Sequence, residues 1–124
     1  MTVDGKTKLV GIIGFPVAHS LSPLMQNAAF RARGLNWCYI PLELDPRFIK
    51  KAVRALPLLG FAGFNVTIPH KQKIIPMLDR LTPEARFIGA VNTVAIKKGE
   101  LTGYNTDAEG FLRALKEGSR KSPR

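Results

Sequence analysis

The chain has 124 residues, of which 45% are hydrophobic and 23% charged, a balance typical of one folded globular domain. Its single cysteine, Cys38, excludes an internal disulfide framework and a multi-cysteine zinc site. The net charge is +10, but the basic residues are scattered and form no aromatic-interleaved stripe, so we expect no nucleic-acid partner. No apolar run is long enough for a membrane helix, so we expect no membrane partner and a cytoplasmic location.

The first half of the chain alternates predicted strands and helices. A short apolar run over 8–14 (KLVGIIG) predicts a buried strand, most simply a parallel one. A helix is predicted to begin at Pro23, with Ser22 as its N-cap, and to end at Gly34. We expect this helix to bury one apolar face, which consists of Leu24, Met25, Ala28, Ala29 and Ala32.

The same alternation continues with a second strand over 37–44 and a third over 63–68. Between them, Asp45 is predicted to cap a helix that ends near Gly60. Its expected buried face is Phe48, Ile49, Ala52, Val53 and Leu56. Three strands separated by two helices within about 60 residues are typical of a parallel α/β sheet.

The second half contains shorter elements. Short helices are predicted after Pro69 and after a Thr82 cap, and a hairpin is predicted from strands over 93–97 and 101–104. A last helix is predicted over 107–116, and the basic tail 118–124 is expected to be disordered. The predicted fold is therefore a single α/β domain, a three-layer sandwich with a mostly parallel sheet and one C-terminal hairpin.

Polar residues occur where the predicted third strand ends. Asn65 and Thr67 lie two residues apart, so both point to the same face, at the edge where α/β sheets bind ligands. A pair of satisfied hydrogen bonds at a strand end would explain them equally well. Lys71 comes next at a helix start, where a cation opposes the helix dipole, although a solvated lysine beside a frayed turn is the simpler interpretation.

Further polar residues lie at the ends of other predicted elements. Ser20 and Ser22 precede a helix N-terminus, which suits a carboxylate or phosphate, and the capping role explains Ser22 but not Ser20. Asn92 precedes a strand, and Asp107 begins the last helix, whose cap Thr106 already supplies.

The two histidines give no metal signal. His19 and His70 form no spaced metal pair with a carboxylate, and both are interpreted as loop histidines, so no metal site is predicted. The polar residues above form one set that suits a small, hydroxylated, anionic ligand and a proton transfer: Ser20, Ser22, Asn65, Thr67, Lys71, Asn92 and Asp107.

Four motifs in this order resemble the shikimate dehydrogenase family: HSLSP (19–23), NVTIPHK (65–71), IGAVNTV (88–94) and GYNTDAEGF (103–111). The resemblance extends over about residues 8–117 and implies the N-terminal, substrate-binding domain of an NADP-dependent enzyme. That family interconverts 3-dehydroshikimate and shikimate in aromatic amino-acid biosynthesis. The implied fold agrees with the one predicted from the alternating elements.

The resemblance also implies residue roles. Ser20 and Ser22 would hold the substrate carboxylate, and Lys71 and Asp107 would form the catalytic pair. The ring hydroxyls would be bound by Asn65, Thr67, Asn92 and Asp107. In the family, NADP(H) is held by a second domain.

This chain has no glycine-rich turn after Gly110 and reads GSRKSPR from residue 118. We therefore expect the chain alone not to be a competent dehydrogenase, with no residues that bind cofactor. Two alternatives remain at this point: a non-catalytic remnant that binds shikimate or quinate, and a basic nucleic-acid binder. A homodimer is also considered, since removal of covering helices would expose apolar surface.

Overall fold

The computed structural model describes residues 2–107, which form one mixed sheet with helices on both faces. The strands are β1 (Lys8–Gly14), β2 (Trp37–Glu43), β3 (Phe61–Val66), β4 (Arg80–Leu81), β5 (Thr93–Lys97) and β6 (Glu100–Tyr104). The helices are α1 (Ser22–Ala32), α2 (Ile49–Leu58), α3 (His70–Lys73) and α4 (Pro83–Ile88). Short 3-10 turns cover Pro46–Phe48 and Ile75–Met77.

The strand order in the sheet is β2-β1-β3-β5-β6-β4. The strand β1 pairs in parallel with both β2 and β3, and β4 pairs in parallel with β6, whereas β5 runs antiparallel to β3 and β6. The predicted α/β class, the mostly parallel sheet and the β5–β6 hairpin are confirmed. The hairpin turn places Lys98 (φ 51°) and Gly99 (φ 78°) in the left-handed region, which a glycine accepts without strain.

Each face of the sheet is covered by helix. On one face α2 contributes Ile49, Val53 and Leu56 to the larger core, together with Ile13 and Phe64 from the central strands. The predicted buried face of α2 is confirmed at these three positions, while Phe48 is 50% exposed because it belongs to the preceding turn. On the other face a smaller cluster gathers under α1 and contains Ile12, Val17 and Tyr39, with Phe30 against it.

The prediction for the buried face of α1 is wrong. Leu24 and Met25 are 72% and 68% exposed, and Ala28, Ala29 and Ala32 are exposed as well. The helix contacts the sheet instead through Asn27, whose side chain bonds the backbone of β2, and through Phe30, whose ring lies 5.7 Å from that of Trp37. A polar anchor therefore decides which side of α1 faces inward.

The boundaries of α1 and of the third strand differ from the prediction. The helix α1 begins at Ser22 and Leu21 precedes it without a side-chain cap, so Ser22 is not the N-cap. The third strand begins at Phe61, directly after Gly60 (φ 84°), and ends at Val66, so Thr67 lies beyond it. The Thr67 amide still donates to the Ile13 carbonyl at 2.9 Å, which keeps it beside β1.

Asp45 and Thr82 cap the helical segments that begin at the next residue. The Asp45 carboxylate accepts from the Arg47 amide at 2.9 Å, and the Thr82 hydroxyl accepts from the Ala85 amide at 3.2 Å. The two-residue strand β4 was not predicted, since it is too short to show an alternation. The predicted helix 107–116, apart from Asp107, and the tail 118–124 lie outside the described residues.

Candidate functional site

One edge of the sheet gathers the ends of five strands. Registers in the sheet place Gly14 beside Glu43, Ile13 beside Val66, Asn65 opposite Thr93, and Thr93 opposite Tyr104. The segments just after β1, β3 and β6 and just before β5 therefore meet at this edge. They carry six of the seven predicted site residues, and the seventh, Asn65, lies near the end of β3 itself.

The loop after β1 and the loop after β3 lie side by side. The Phe15 amide donates to the Ile68 carbonyl at 3.0 Å. A Cβ at Gly14 would clash with the methyl group of Thr67, so glycine is required there for the two loops to approach. This contact brings the segment that carries Ser20 next to Thr67.

The two serines take different local roles. The Ser20 hydroxyl accepts from the Ser22 amide at 3.2 Å, so Ser20 fixes the entry to α1. Ser22 lies near the Tyr39 hydroxyl and lowers the pKa of that group. Both serines are half-buried and lie at the α1 end that was predicted to suit an anion.

Asn65 lies in a network that the sequence prediction missed. Its Oδ1 accepts from the Tyr39 hydroxyl at 2.7 Å, and its Nδ2 donates to the Thr93 hydroxyl at 3.1 Å and to the Asn92 carbonyl at 3.4 Å. Tyr39 is 4% exposed, and burial raises its pKa to about 12 against a smaller opposing effect of the nearby Ser22. A buried tyrosine hydroxyl needs a partner, and this was the one signal that could have pointed to Tyr39.

Asn92 connects this network to the start of the last helix. Its Oδ1 accepts from the Thr106 amide at 3.1 Å and from the Thr93 hydroxyl at 3.0 Å. Its Nδ2 donates to the Thr106 hydroxyl at 3.0 Å. Because Asp107 is the next residue after Thr106, Asn92 fixes the backbone from which the Asp107 side chain extends.

Lys71 reaches the same edge from α3. Its carbonyl accepts from the Val91 amide at 2.8 Å, next to Asn92, and its side chain is half-buried. Asp107 is exposed. The ion pairs within residues 2–107 join Arg47 to Asp45 and Arg80 to Glu100, so Lys71 and Asp107 lie on adjoining segments without an ion pair between them.

His70 is not a loop histidine, which corrects the sequence interpretation. It belongs to α3 and is fully buried, and its Nε2 lies 2.7 Å from the Leu44 carbonyl, which can only accept. Its Nδ1 has no hydrogen-bond partner within residues 2–107. Burial lowers its pKa, against the opposing effect of the Leu44 bond. His70 is therefore a neutral side chain that holds α3 to the end of β2.

No metal or dinucleotide centre is formed by the described residues. Residues 2–107 contain no group of three or more His, Cys, Asp or Glu side chains that could hold a metal ion. A dinucleotide needs a glycine-rich turn between a strand and a helix, but the connections after β1, β2 and β3 contain no glycine between strand end and helix start. These residues therefore do not fit the family's NADP(H).

A small cavity lies beside the network on the α1 side of the sheet. It is open to solvent and has a volume of about 280 Å³, and its walls include Tyr39, Asn65 and Thr93 together with Gln26 and Phe30 of α1. Within residues 2–107, no helix is long and apolar enough to cross a bilayer. The fold and the polar strand ends define an α/β domain with a cluster of polar side chains at the carboxyl edge of its sheet, the position at which open α/β sheets commonly bind ligands.

Comparison with known proteins identifies this domain. Residues 12–94, more than half of the chain, match the family model described as the shikimate dehydrogenase substrate binding domain, and the chain belongs to this family. It is 62% identical over 117 residues to the shikimate dehydrogenase (NADP(+)) of Geobacter metallireducens, covering 94% of this chain and 41% of that relative.

Solved structures agree with this assignment. A shikimate dehydrogenase in complex with NADP+ superposes with a TM-score of 0.87 at 47% identity, covering 94% of this chain and 40% of that one. The Listeria monocytogenes shikimate 5-dehydrogenase in complex with shikimate and NAD gives a TM-score of 0.87 at 42% identity, covering 96% and 41%. The chain thus spans about two fifths of the length of the relatives it matches.

Proposed function

We propose that this domain binds shikimate and 3-dehydroshikimate as the substrate half of a shikimate dehydrogenase, which reduces 3-dehydroshikimate with NADPH. One observation carries the proposal: a continuous set of hydrogen bonds joins Asn65, Asn92 and Thr106 along one edge of the sheet. These residues come from separate motifs of the family resemblance. Their convergence supports a single ligand-binding edge.

The chemistry of the edge suits a polyhydroxylated carboxylate. We assign the ligand carboxylate to Ser20 and Ser22 at the start of α1, where free amides and the positive end of the helix dipole favour an anion. We assign the binding of the ring hydroxyls to Asn65, Thr67, Asn92 and Asp107. Their amide, hydroxyl and carboxylate groups together supply hydrogen-bond donors and acceptors for these hydroxyls.

The proton transfer is assigned to Lys71 and Asp107. The Lys71 ammonium donates a proton to the ketone oxygen of 3-dehydroshikimate as that oxygen becomes a hydroxyl. Asp107 accepts a hydrogen bond from the same hydroxyl. In the reverse direction Lys71 must accept the proton, so the oxidation of shikimate is expected to accelerate as the pH rises.

The first experiment is calorimetric titration of the purified chain with shikimate, quinate and NADPH in separate runs. Shikimate is expected to bind and NADPH is not. Lys71→Ala should weaken shikimate binding about tenfold or more, since a hydrogen bond to a charged group is lost. Lys73→Ala is the matched control, because this exposed lysine lies on the same short helix, and it should change the affinity less than about twofold.

If the wild-type chain shows no binding of shikimate at millimolar concentration, the proposal is overturned. Equal losses for Lys71→Ala and Lys73→Ala would instead reject the assigned role of Lys71. Turnover of NADPH by the chain alone would contradict the proposal that this domain binds the substrate and a separate domain binds the cofactor.

The alternative is a domain that binds shikimate or quinate without taking part in catalysis. It is tested by joining residues 1–117 to the remaining part of the Geobacter metallireducens relative. The proposal expects NADPH-dependent turnover that Lys71→Ala abolishes, whereas a remnant would give none. The homodimer, the cytoplasmic location and the domain limits 8–117 stay predictions.

A further inference from the structure

We infer that Tyr39 is a positioning residue that fixes the Asn65 side chain as a hydrogen-bond acceptor toward the ligand, while Asn92 is fixed as a donor. The inference rests on the proposed function, because it concerns how the same edge recognises ring hydroxyls. It adds a residue outside the four motifs of the resemblance, and it gives each of the two amides a direction.

Tyr39 is held more firmly than an ordinary edge-strand residue. Its backbone amide donates to Asn27 Oδ1 at 2.8 Å, and its carbonyl accepts from Asn27 Nδ2 at 2.9 Å. Its ring is buried among Ile12, Val17 and the Phe30 side of α1. Since β1 lies between β2 and β3, the ring spans the middle strand to bring its hydroxyl to Asn65.

The orientation of the Asn65 amide is determined by its neighbours. The Asn92 carbonyl, 3.4 Å away, can only accept a hydrogen bond, so the Asn65 atom facing it must be the nitrogen. The oxygen then faces Tyr39, whose hydroxyl donates to it. Both protons of Asn65 Nδ2 are used, by Thr93 and by the Asn92 carbonyl. What Asn65 can still offer a ligand is one lone pair of its oxygen.

Asn92 has the opposite polarity. The two lone pairs of its Oδ1 are used by the Thr106 amide and the Thr93 hydroxyl. One proton of its Nδ2 goes to the Thr106 hydroxyl, which leaves one N–H to donate. The hydrogen bonds thus run in one direction from Tyr39 through Asn65 and Thr93 to Asn92, an arrangement in which each bond polarises the next.

The consequence is a directional requirement on the ligand. A hydroxyl at Asn65 must donate and a group at Asn92 must accept, so an O-methyl group in place of the first hydroxyl should abolish its bond. Replacement of Tyr39 by phenylalanine leaves the Asn65 oxygen without its fixed donor, so the amide plane is less constrained and the ligand binds more weakly.

The test is a double-mutant cycle of Tyr39→Phe and Asn65→Ala, read as the dissociation constant for shikimate. Tyr39→Phe should weaken binding about two- to tenfold in the wild-type background, the range of one net hydrogen bond. In the Asn65→Ala background it should have no further effect beyond about 1.5-fold, because its partner is gone. Additive losses would overturn the inference, since they would mean that Tyr39 acts independently of Asn65.

A second measurement does not need the ligand. In nitrogen–proton correlation spectra, the side-chain NH₂ signals of Asn65 should shift or broaden in Tyr39→Phe. The matched control is Tyr104→Phe, which removes the only other phenolic hydroxyl of the chain and should leave them unchanged. Unchanged Asn65 signals in Tyr39→Phe would reject the inference, whereas a wild-type chain that fails to bind shikimate but shows the shift would reject only the proposed function.

Discussion

At the scale of single residues, the polar groups near the candidate site are of two kinds. Some are candidates for contact with the ligand, and others hold those candidate residues in place through hydrogen bonds. Tyr39, Thr93 and Thr106 bond to predicted site residues, and His70 fastens the helix that carries Lys71. The candidate site residues stand out in the sequence because their types are unusual for their positions. Their supports do not, because Tyr39 and His70 have ordinary positions in the sequence and acquire partners only across strands.

His70 makes the stability of the domain depend on pH. Its folded-state pKa is lowered, so below the unfolded value of about 6.5 the unfolded chain binds more protons than the folded one. The contribution is therefore fully present above about pH 6.5 and is lost as the pH falls toward the folded-state pKa. The charged groups that act on it are Lys73, which lowers the pKa, and Asp45, which raises it.

Denaturant unfolding at pH 7 and at pH 5 tests this expectation. The wild-type free energy of unfolding should fall between these values, by at most about 1.4 kcal/mol per pH unit. His70→Gln keeps a donor for the Leu44 carbonyl but cannot be protonated, so its free energy of unfolding should fall less steeply. Equal slopes for both proteins would show that other groups control the pH dependence.

At the scale of elements, local signals predicted β1, β5, the hairpin and α2, whereas α1 needed long-range information. The Lys98–Gly99 turn and the apolar spacing of Ile49, Val53 and Leu56 are properties of short segments. The inward side of α1 is set by Asn27, and no periodicity shows that a polar amide will pair with the edge of a distant strand. An apolar stripe that includes Leu24 and Met25 is therefore left on the outside of the helix.

That stripe should promote self-association without supporting the fold. Replacing Leu24 and Met25 by glutamine and lysine should change the free energy of unfolding by less than about 0.5 kcal/mol each, because both are mostly exposed. Analytical sedimentation should show less association at high protein concentration. Phe30→Ala, on the inward side, should instead destabilise the domain by about 1–2 kcal/mol. A stability loss at Leu24 as large as that at Phe30 would contradict the observed orientation.

At the scale of the whole molecule, the net charge of +10 favours anionic ligands over a range set by salt. If the ligand is the carboxylate shikimate, its dissociation constant should rise about two- to fivefold between roughly 20 and 300 mM sodium chloride, as screening increases. The neutral methyl ester of shikimate is the control and should bind more weakly but with little salt dependence. A salt response shared by both ligands would mean that the charge of the molecule does not attract the carboxylate.

The Asn27 side chain also determines what the outer border of the sheet can do. It occupies both the amide and the carbonyl of Tyr39 on β2, the strand at one end of the sheet order. An extended peptide from another molecule could pair with β2 there only after displacing the Asn27 side chain from these two backbone groups. The Asn27 carboxamide that holds Tyr39 in place thus also hinders fibril-like addition of strands at the β2 edge of the sheet.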